Sequence, residues 1–336
     1  MVTRRQNVEI AGRTLSLSNL DKVLWPEDGL TKADLVSYYT QVAPYLLPHL
    51  KERPLVLTRF PDGIHGQSFY QKNTPDWAPD WLRRFHYQYP GGDHPLDLLL
   101  VDDAAGLAWV ANQAAIEIHP LPAPAAHPER PDRVTVDLDP AEGATWDMVR
   151  LLAQTAGQVL EALGLRAFPK TSGATGVHIV MALTPRYTFE QVTEFLHQLA
   201  LLLFQLHPQV VTLERMVARR TGKVYVDYLQ NQRGKTITSV YGVRPRPHAP
   251  VSTPIRWDEL DWVRPDTFHL GNIFPRLTQM GDLHLPLLSA PQELETPAAA
   301  LARQLAPLYK SSWPGNFTRG GEQGVHPNAG PSGPNL

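Results

Sequence analysis

Apolar positions alternate weakly through residues 1–18 (VEIAGRTLSLS), which predicts a short hairpin. The period then becomes helical. Leu35, Tyr38, Tyr39, Val42, Tyr45 and Leu46 form one stripe behind Thr31, a residue suited to capping, so a helix is predicted to about Leu50. PLVLTRFPDG reads as a strand and turn, and residues 74–96 as a turn-rich stretch. LDLLLVDD predicts a strand, and GLAWVANQAAIEIHP a buried helix or strand pair.

A Pro-rich stretch, LPAPAAHPERPDR at 121–133, reads as an internal linker, and regular patterning follows it. VTVDLDP is a strand, Thr145 caps a helix ending at Gly164, and RAFPKTSGATGVHIVMAL gives strand, Gly-rich turn and strand. Thr188 caps an apolar helix to about Leu206. RMVARRTGKVYVDYLQN and GKTITSVYGVRPRP read as two adjacent strands. This β-α-β-β-α-β order predicts an α/β (α+β) sandwich with a ferredoxin-like or RRM-like sheet. From Ser311 onward apolar periodicity is absent, and a disordered tail is expected.

Composition narrows the chemistry. The 336-residue chain has 43% hydrophobic residues, enough for a large core, and 32 Pro, too many for a helical bundle. Cys is absent, which excludes disulfides, thiol catalysis and Cys-ligated metals. No signal peptide or spanning segment is visible, so a soluble cytoplasmic protein that does not contact membrane is expected. The net charge is only −2, but it is unevenly distributed: Thr212–Arg256 carries +7 and Asp76–Asp147 carries −9. Such segments can form opposed walls of one cleft, or two ordinary solvated faces.

Asp137 and Asp139 lie two apart in a strand pattern, so both carboxylates share a face. Asp227 in KVYVDYLQ occupies the face away from Val224 and Val226. Three carboxylates from two strands suit a pair of divalent cations, and oxygen-only ligands favour Mg²⁺ or Mn²⁺. Acidic pairs at strand ends are, however, commonly just solvated. TSGATGVH adds a Gly-rich turn, the Ser172 hydroxyl, and His178 opposite Val177 and Ile179. Arg244 and Arg246 alternate in YGVRPRP, with Lys235 on the preceding strand; paired guanidinium groups suit polyphosphate, although a basic edge strand has the same appearance. Asn19, Lys22 and Lys32 bracket a turn and the first helix N-terminus, a place for a terminal phosphate. Phe69 and Tyr70, if extended, cannot both enter one core face, which leaves at least one available to stack on a base, although core packing is the commoner fate of such aromatics.

Taken in order, SNLDKVLWPEDGLTKAD, FYQKN, IEIHP, VDLDP, TSGATGVHI, VDYLQNQRGKT and YGVRPRPHAPVSTPIRWDEL resemble the polymerase domain of bacterial ATP-dependent DNA ligase D, in the archaeo-eukaryotic primase superfamily. The resemblance covers most of residues 15–275. It implies a primase-type two-layer core in a domain spanning 1–310: an N-terminal α/β unit (1–120), the linker (121–133), an RRM-like catalytic unit (134–275) and an extension (276–310), with 311–336 as tail. The implied activity is a nucleotidyltransferase of non-homologous end joining, filling gaps and extending 3′ ends with NTPs in preference to dNTPs by two-metal catalysis.

In that frame Asp137, Asp139 and Asp227 match the catalytic metal carboxylates. Ser172, His178, Arg244 and Arg246 match triphosphate contacts, with His119 nearby and Lys235 added to the same group. Asn19, Lys22 and Lys32 match a pocket for the downstream 5′-phosphate, Phe69 and Tyr70 an aromatic pair near the templated base, and Arg220 an arginine near the active site. Ku and a DNA ligase are the implied pathway partners, and a break-bridging dimer is compatible. Thr175 stands where many relatives carry Lys, Gly242 where Ser is frequent, and Tyr70 where Phe is frequent. The Lys-x-Asp-Gly string of a ligase is missing. A non-catalytic end-bridging module and a metal-dependent phosphodiesterase or nuclease are the rival readings. The first predicts end binding without incorporation, the second nucleotide release from DNA without added triphosphate.

Overall fold

Helix α1 (Lys32–Leu50) begins where Thr31 and Asp34 cap each other. The Thr31 hydroxyl accepts from Asp34 N–H, and the Asp34 carboxylate accepts from Thr31 N–H. The computed structural model describes residues 5–310, with side chains to 306. Ahead of α1 lie the antiparallel hairpin β1 (Arg5–Ile10) and β2 (Arg13–Ser18) and the short pair β3 (Val23–Trp25) and β4 (Leu30–Thr31).

The first large sheet contains β5 (Leu55–Arg59), β6 (Phe69–Gln71), β7 (Arg83–Tyr87), β8 (Leu96–Leu100) and, after helix α2 (Ala104–Asn112), β9 (Ala115–Pro120). Its order is β6-β5-β8-β7, with β9 also paired to β5. Alternation gives it two unlike faces. Leu55, Leu57, Ile116 and Ile118 enter the apolar core. Val56, Thr58, Tyr70, Glu117 and His119 share the opposite face, because Thr58 pairs with both Tyr70 and Glu117 and Val56 pairs with His119.

The second sheet contains β10 (Arg133–Pro140), β11 (Phe168–Thr171), β12 (Val177–Ala182), β13 (Val211–Thr212) and β14 (Val224–Val226), with helices α3 (Trp146–Ala162) and α4 (Phe189–Leu206). Thr145 and Thr188 cap these helices as the sequence predicts. The order β11-β12-β10-β14 is ferredoxin-like, and β13 extends it in parallel with β14. Val134, Val136, Leu138, Val177, Ile179, Val224 and Val226 face the core, which leaves Asp137, Asp139, His178 and Tyr225 on the other side. One buried apolar cluster includes residues of both sheets. Helices α5 (Ile273–Met280) and α6 (Glu295–Lys310) follow, α6 against α4. Among the described residues no helix is long and apolar enough to cross a membrane.

Residues 121–132 carry no helix or strand. They are anchored by Arg53, whose guanidinium donates to Pro122 O at 3.2 Å and to both Asp132 oxygens at 2.7 Å.

Three stretches differ from the sequence-based expectation. RMVARRTGKVYVDYLQN, expected as a strand, holds only the three-residue β14, flanked by 3-10 turns at Val217–Arg219 and Tyr228–Asn231. The stretch 74–96 contains strand β7, a largely exposed strand with little apolar alternation to reveal it. GKTITSVYGVRPRP forms turns and an isolated bridge between Val243 and Val251, not a strand. This segment spans the two sheets: Ser239 N–H donates to Ile118 O at 2.9 Å, and Lys170 Nζ donates to Thr238 O at 3.1 Å. Its backbone partners lie far away in sequence, so local pattern could not specify them. The expected tail at 311–336 lies outside the described residues.

Candidate active site

The carboxylate face is assembled by register. Lys170, His178 and Asp137 lie side by side across β11, β12 and β10, and Asp139 pairs with Tyr225 of β14. Beyond β14, Asp227 caps a short 3-10 turn (Tyr228–Asn231), and its N–H donates to Asp137 O at 2.9 Å. All three aspartates therefore meet at adjoining backbone positions, although Asp227 stands just past the strand.

Burial pushes the Asp137 carboxyl up to about 8, and repulsion from Asp139 and Asp227 adds to it. Asp139 is also raised, first by burial, against the pull of Arg220. An oxygen-only donor set with this excess charge fits Mg²⁺ or Mn²⁺ in chemistry. The side chains themselves do not converge: among the described residues no three His, Asp or Glu groups are arranged to hold a metal. Asp139 faces Arg220 Nη1 at 4.0 Å, while Asp227 Oδ1 accepts from Tyr225 OH at 3.3 Å and Gln230 N–H at 3.1 Å. The fit is thus one of donor type and charge.

His178 is buried, with Nε2 3.5 Å from Asp137 Oδ1. Burial, then Lys170 and Arg244, hold its pKa well below the usual range, so it is a neutral imidazole that offers a hydrogen bond without a charge. Its Nδ1 has no partner among the described residues. Burial likewise lowers the pKa of Lys170, whose Nζ donates to Ser252 Oγ at 2.6 Å.

Arg244 reaches across the cleft. Its Nη1 donates to Ser172 O at 3.1 Å, and its Nε stands 2.9 Å from Glu117 Oε1 without hydrogen-bond alignment. Gly173 has φ +67°, and a Cβ there would lie 2.8 Å from Arg244 Cγ, so the loop is glycine for both conformation and space. The Ser172 hydroxyl accepts from the N–H groups of Ala174, Thr175 and Gly176 at 2.9–3.1 Å. That oxygen therefore closes the loop, and its own proton is what it can offer a ligand. His119 Nε2 lies 2.9 Å from Thr58 Oγ1, and its ring is 5.9 Å from that of Tyr70.

Arg220 stacks over Tyr225, with Cζ 3.6 Å from the ring centroid. Lys235 and Arg246 are exposed in turns, and the strand that would align Arg246 with Arg244 is absent. Of the basic segment, Arg220 and Arg244 reach the acidic face, whereas Arg215, Arg219, Lys235 and Arg246 remain exposed.

A second cluster forms at the start of α1. Lys32 N–H donates to Lys22 O at 2.8 Å, and Lys22 N–H to Asn19 O at 3.1 Å. Asn19 has φ +49°, a conformation Asn tolerates, so part of its role is to make this turn. Lys22 Nζ is 2.7 Å from Asp62. Lys32 is buried, and its Nζ donates to Asn112 O at 3.1 Å. Burial, then Lys22 and Arg59, lower it to about 8. Arg59 donates to Gln113 O at 2.7 Å and covers the Phe69 ring at 5.2 Å. Phe69 pairs with Arg59, whereas Tyr70 pairs with Thr58, so the two aromatics take opposite faces of β6: one beside the lysines, the other beside His119.

The sequence reading did not single out Glu117, Lys170, Arg59 or Tyr225. Glu117 and His119 alternate in IEIHP just as Asp137 and Asp139 do in VDLDP, and the same face argument would have found Glu117. Lys170 and Arg59 carried no such signal, since a lone cation in an apolar strand is usually exposed at an edge.

Residues 31–284 match the family model described as LigD, primase-polymerase domain. The chain belongs to the LigD primase-polymerase domain family. It is 32% identical over 293 residues to the bifunctional non-homologous end joining protein LigD of Bacillus subtilis, covering 87% of this chain and 46% of that protein. It is 34% identical over 278 residues to the multifunctional LigD of Mycolicibacterium smegmatis, covering 81% of this chain and 36% of that protein. The chain thus spans less than half the length of either relative. The polymerase domain of Mycobacterium tuberculosis ligase D, solved in complex with DNA, superposes with a TM-score of 0.76 at 32% identity over 83% of this chain and 99% of that one. A primase-type LigD fold is therefore established.

Within the LigD frame Thr175 is informative, because it is exposed at the tip of the Ser172–Gly176 loop. Thr175→Lys places a cation there without disturbing packing. On the resemblance's assignment of this loop to the triphosphate, the KM for nucleotide is expected to fall roughly fivefold, the worth of about 1 kcal/mol for one added screened charge pair. Steady-state incorporation at varied nucleotide concentration checks this.

Proposed function

We propose that the protein is a DNA-dependent nucleotidyltransferase that fills gaps and extends 3′ ends in non-homologous end joining, preferring NTPs over dNTPs. Membership of the LigD family supports this reading. The observation that carries it is the pairing of Asp137, Asp139 and Asp227 on one wall with Arg244 spanning from the other.

Divalent cations, Mg²⁺ or Mn²⁺, would supply Lewis-acid activation of the primer 3′-hydroxyl and charge balance for the triphosphate, held by Asp137, Asp139 and Asp227. The chain's own groups do the rest. Arg244, with its stem packed on Gly173, faces the triphosphate as a preset fork and offsets charge developing on the leaving pyrophosphate. His178 donates a neutral hydrogen bond. Tyr70, beside His119, offers a ring for the nascent base pair, and the Lys22–Lys32 cluster grips the 5′-phosphate across the gap. Ku and a DNA ligase are the partners this role requires.

The test is primer extension on a gapped duplex, with and without a downstream 5′-phosphate, with ribo- or deoxyribonucleotides and Mn²⁺ or Mg²⁺. Metal-dependent, phosphate-stimulated addition that favours ribonucleotides is the expected result. Tight phosphate-dependent binding without addition would replace the proposal with an end-bridging role.

A further inference from the structure

We infer that Glu117 is a positioning residue that sets Arg244 and His119 for the incoming triphosphate. This rests on the polymerase reading above and names a group outside its carboxylate and cation set. Glu117 lies between Arg244 and His119 and is only 8% exposed. Its Oε1 lies 2.9 Å from Arg244 Nε, and its Oε2 lies 3.5 Å from His119 Nε2. One carboxylate is thereby divided between two side chains called to the triphosphate, one on its own strand and one on the segment spanning the sheets.

A lone buried carboxylate opposing a triphosphate is doubly unfavourable, through desolvation and repulsion. Glu117 remains ionised all the same. Burial raises its pKa, but His119, Arg244 and Thr58 together outweigh burial and hold it below the ordinary value. The return is orientation. Nη1 donates to Ser172 O, the Glu117 charge 2.9 Å from Nε holds the other edge of the Arg244 guanidinium as an ion pair without an aligned hydrogen bond, and Gly173 bars its stem from a third direction. Nη2 has no protein acceptor among the described residues and is left for a phosphate oxygen. His119 Nε2 lies 3.5 Å from Glu117 Oε2 and 2.9 Å from Thr58 Oγ1, so the same carboxylate helps to fix the orientation of its ring.

The test compares Glu117→Gln, Glu117→Asp, Arg244→Ala and the Glu117→Gln/Arg244→Ala double variant in gap filling. Thermal midpoint and binding of 5′-phosphorylated gapped DNA are read alongside. Glu117→Gln is expected to lower kcat/KM for nucleotide at least tenfold and leave DNA affinity within twofold. Glu117→Asp keeps the buried charge but retracts it by one methylene, and a comparable loss is expected. In the Arg244→Ala background the Gln substitution should cost less than threefold, because the carboxylate acts largely through that arginine. Wild-type kcat/KM in Glu117→Asp, or fully multiplicative losses in the double variant, would overturn the inference. A wild-type protein that adds no nucleotide overturns the polymerase reading first, and this inference with it.

Discussion

Primer extension is expected to vanish when Asp137 and Asp139 are both replaced by Ala, with a loss of at least a thousandfold in rate. Binding of DNA through Lys22 and Lys32 should persist, since that cluster belongs to α1 and its preceding turn and, among the described residues, makes no hydrogen bond or ion pair with Asp137 or Asp139. A thousandfold corresponds to about 4 kcal/mol of transition-state stabilisation, within the several kcal/mol that metal-assisted charge stabilisation supplies. Residual extension in the double variant would sink the carboxylate assignment.

The pH dependence has a definite sign. Asp137 titrates near an ordinary 3.8 when unfolded and at about 8 when folded, so between those values the native state holds the extra proton. In chelator, this group's contribution to stability therefore falls as pH rises through that window. Asp137→Asn removes the dependence and should raise the thermal midpoint at pH 8 while abolishing activity. Cation binding must displace the same proton, so metal affinity should climb with pH and level off above about 8. A pH-independent metal affinity would contradict the buried-carboxyl account.

Lys32→Met is expected to abolish stimulation by a downstream 5′-phosphate. Affinity for the phosphorylated gap should fall about 10- to 100-fold, in line with the roughly 1.5–3 kcal/mol of a hydrogen bond to a charged group. Affinity for the unphosphorylated gap should be nearly unchanged. Lys32 is pre-aimed: its Nζ already donates to Asn112 O at 3.1 Å and stands 3.4 Å from Ser18 Oγ, so little ordering remains when phosphate arrives. Burial, then Lys22 and Arg59, bring its pKa down to about 8. The phosphate-dependent part of binding is therefore full at pH 7 and declines above about pH 8 as the ammonium is lost. Fluorescence anisotropy with paired phosphorylated and unphosphorylated gaps, from pH 6.5 to 9.5, reads both effects. Equal losses on the two substrates would assign Lys32 to general packing instead.

The contrast between these two clusters bears on what a linear chain can encode. Thr31, Thr145 and Thr188 announced their helices because a cap and an apolar stripe are local features, complete within a few residues. Asp137 and Asp139 were assigned to one face by the two-residue period of a strand, and the structure gives them that face. The ferredoxin-like order followed from the same local reading and is present in the sheet.

Tertiary structure decided how the groups are occupied. Ser172 was legible as a hydroxyl in a Gly-rich loop, but only the closed loop shows its oxygen taken by three N–H groups. Arg244 and Arg246 looked equivalent in YGVRPRP. The segment bonds to Ile118 and Lys170 instead of forming a strand, so Arg244 enters the cleft while Arg246 stays outside. The resemblance makes Phe69 and Tyr70 one stacking pair, whereas strand alternation separates them, and the pairing of β6 with β5 decides for separation, with Phe69 beside Arg59 and Tyr70 beside Thr58. The alternation in IEIHP places Glu117 on a face with His119, but its pairing with Arg244, more than a hundred positions away, is visible only in the fold. By itself the sequence determined most of the elements, their apolar faces and the family, because periodicity, caps and ordered motifs are short-range information. The partners of each polar group were decided by the fold, because burial and long-range backbone hydrogen bonds fix which distant side chains must satisfy one another.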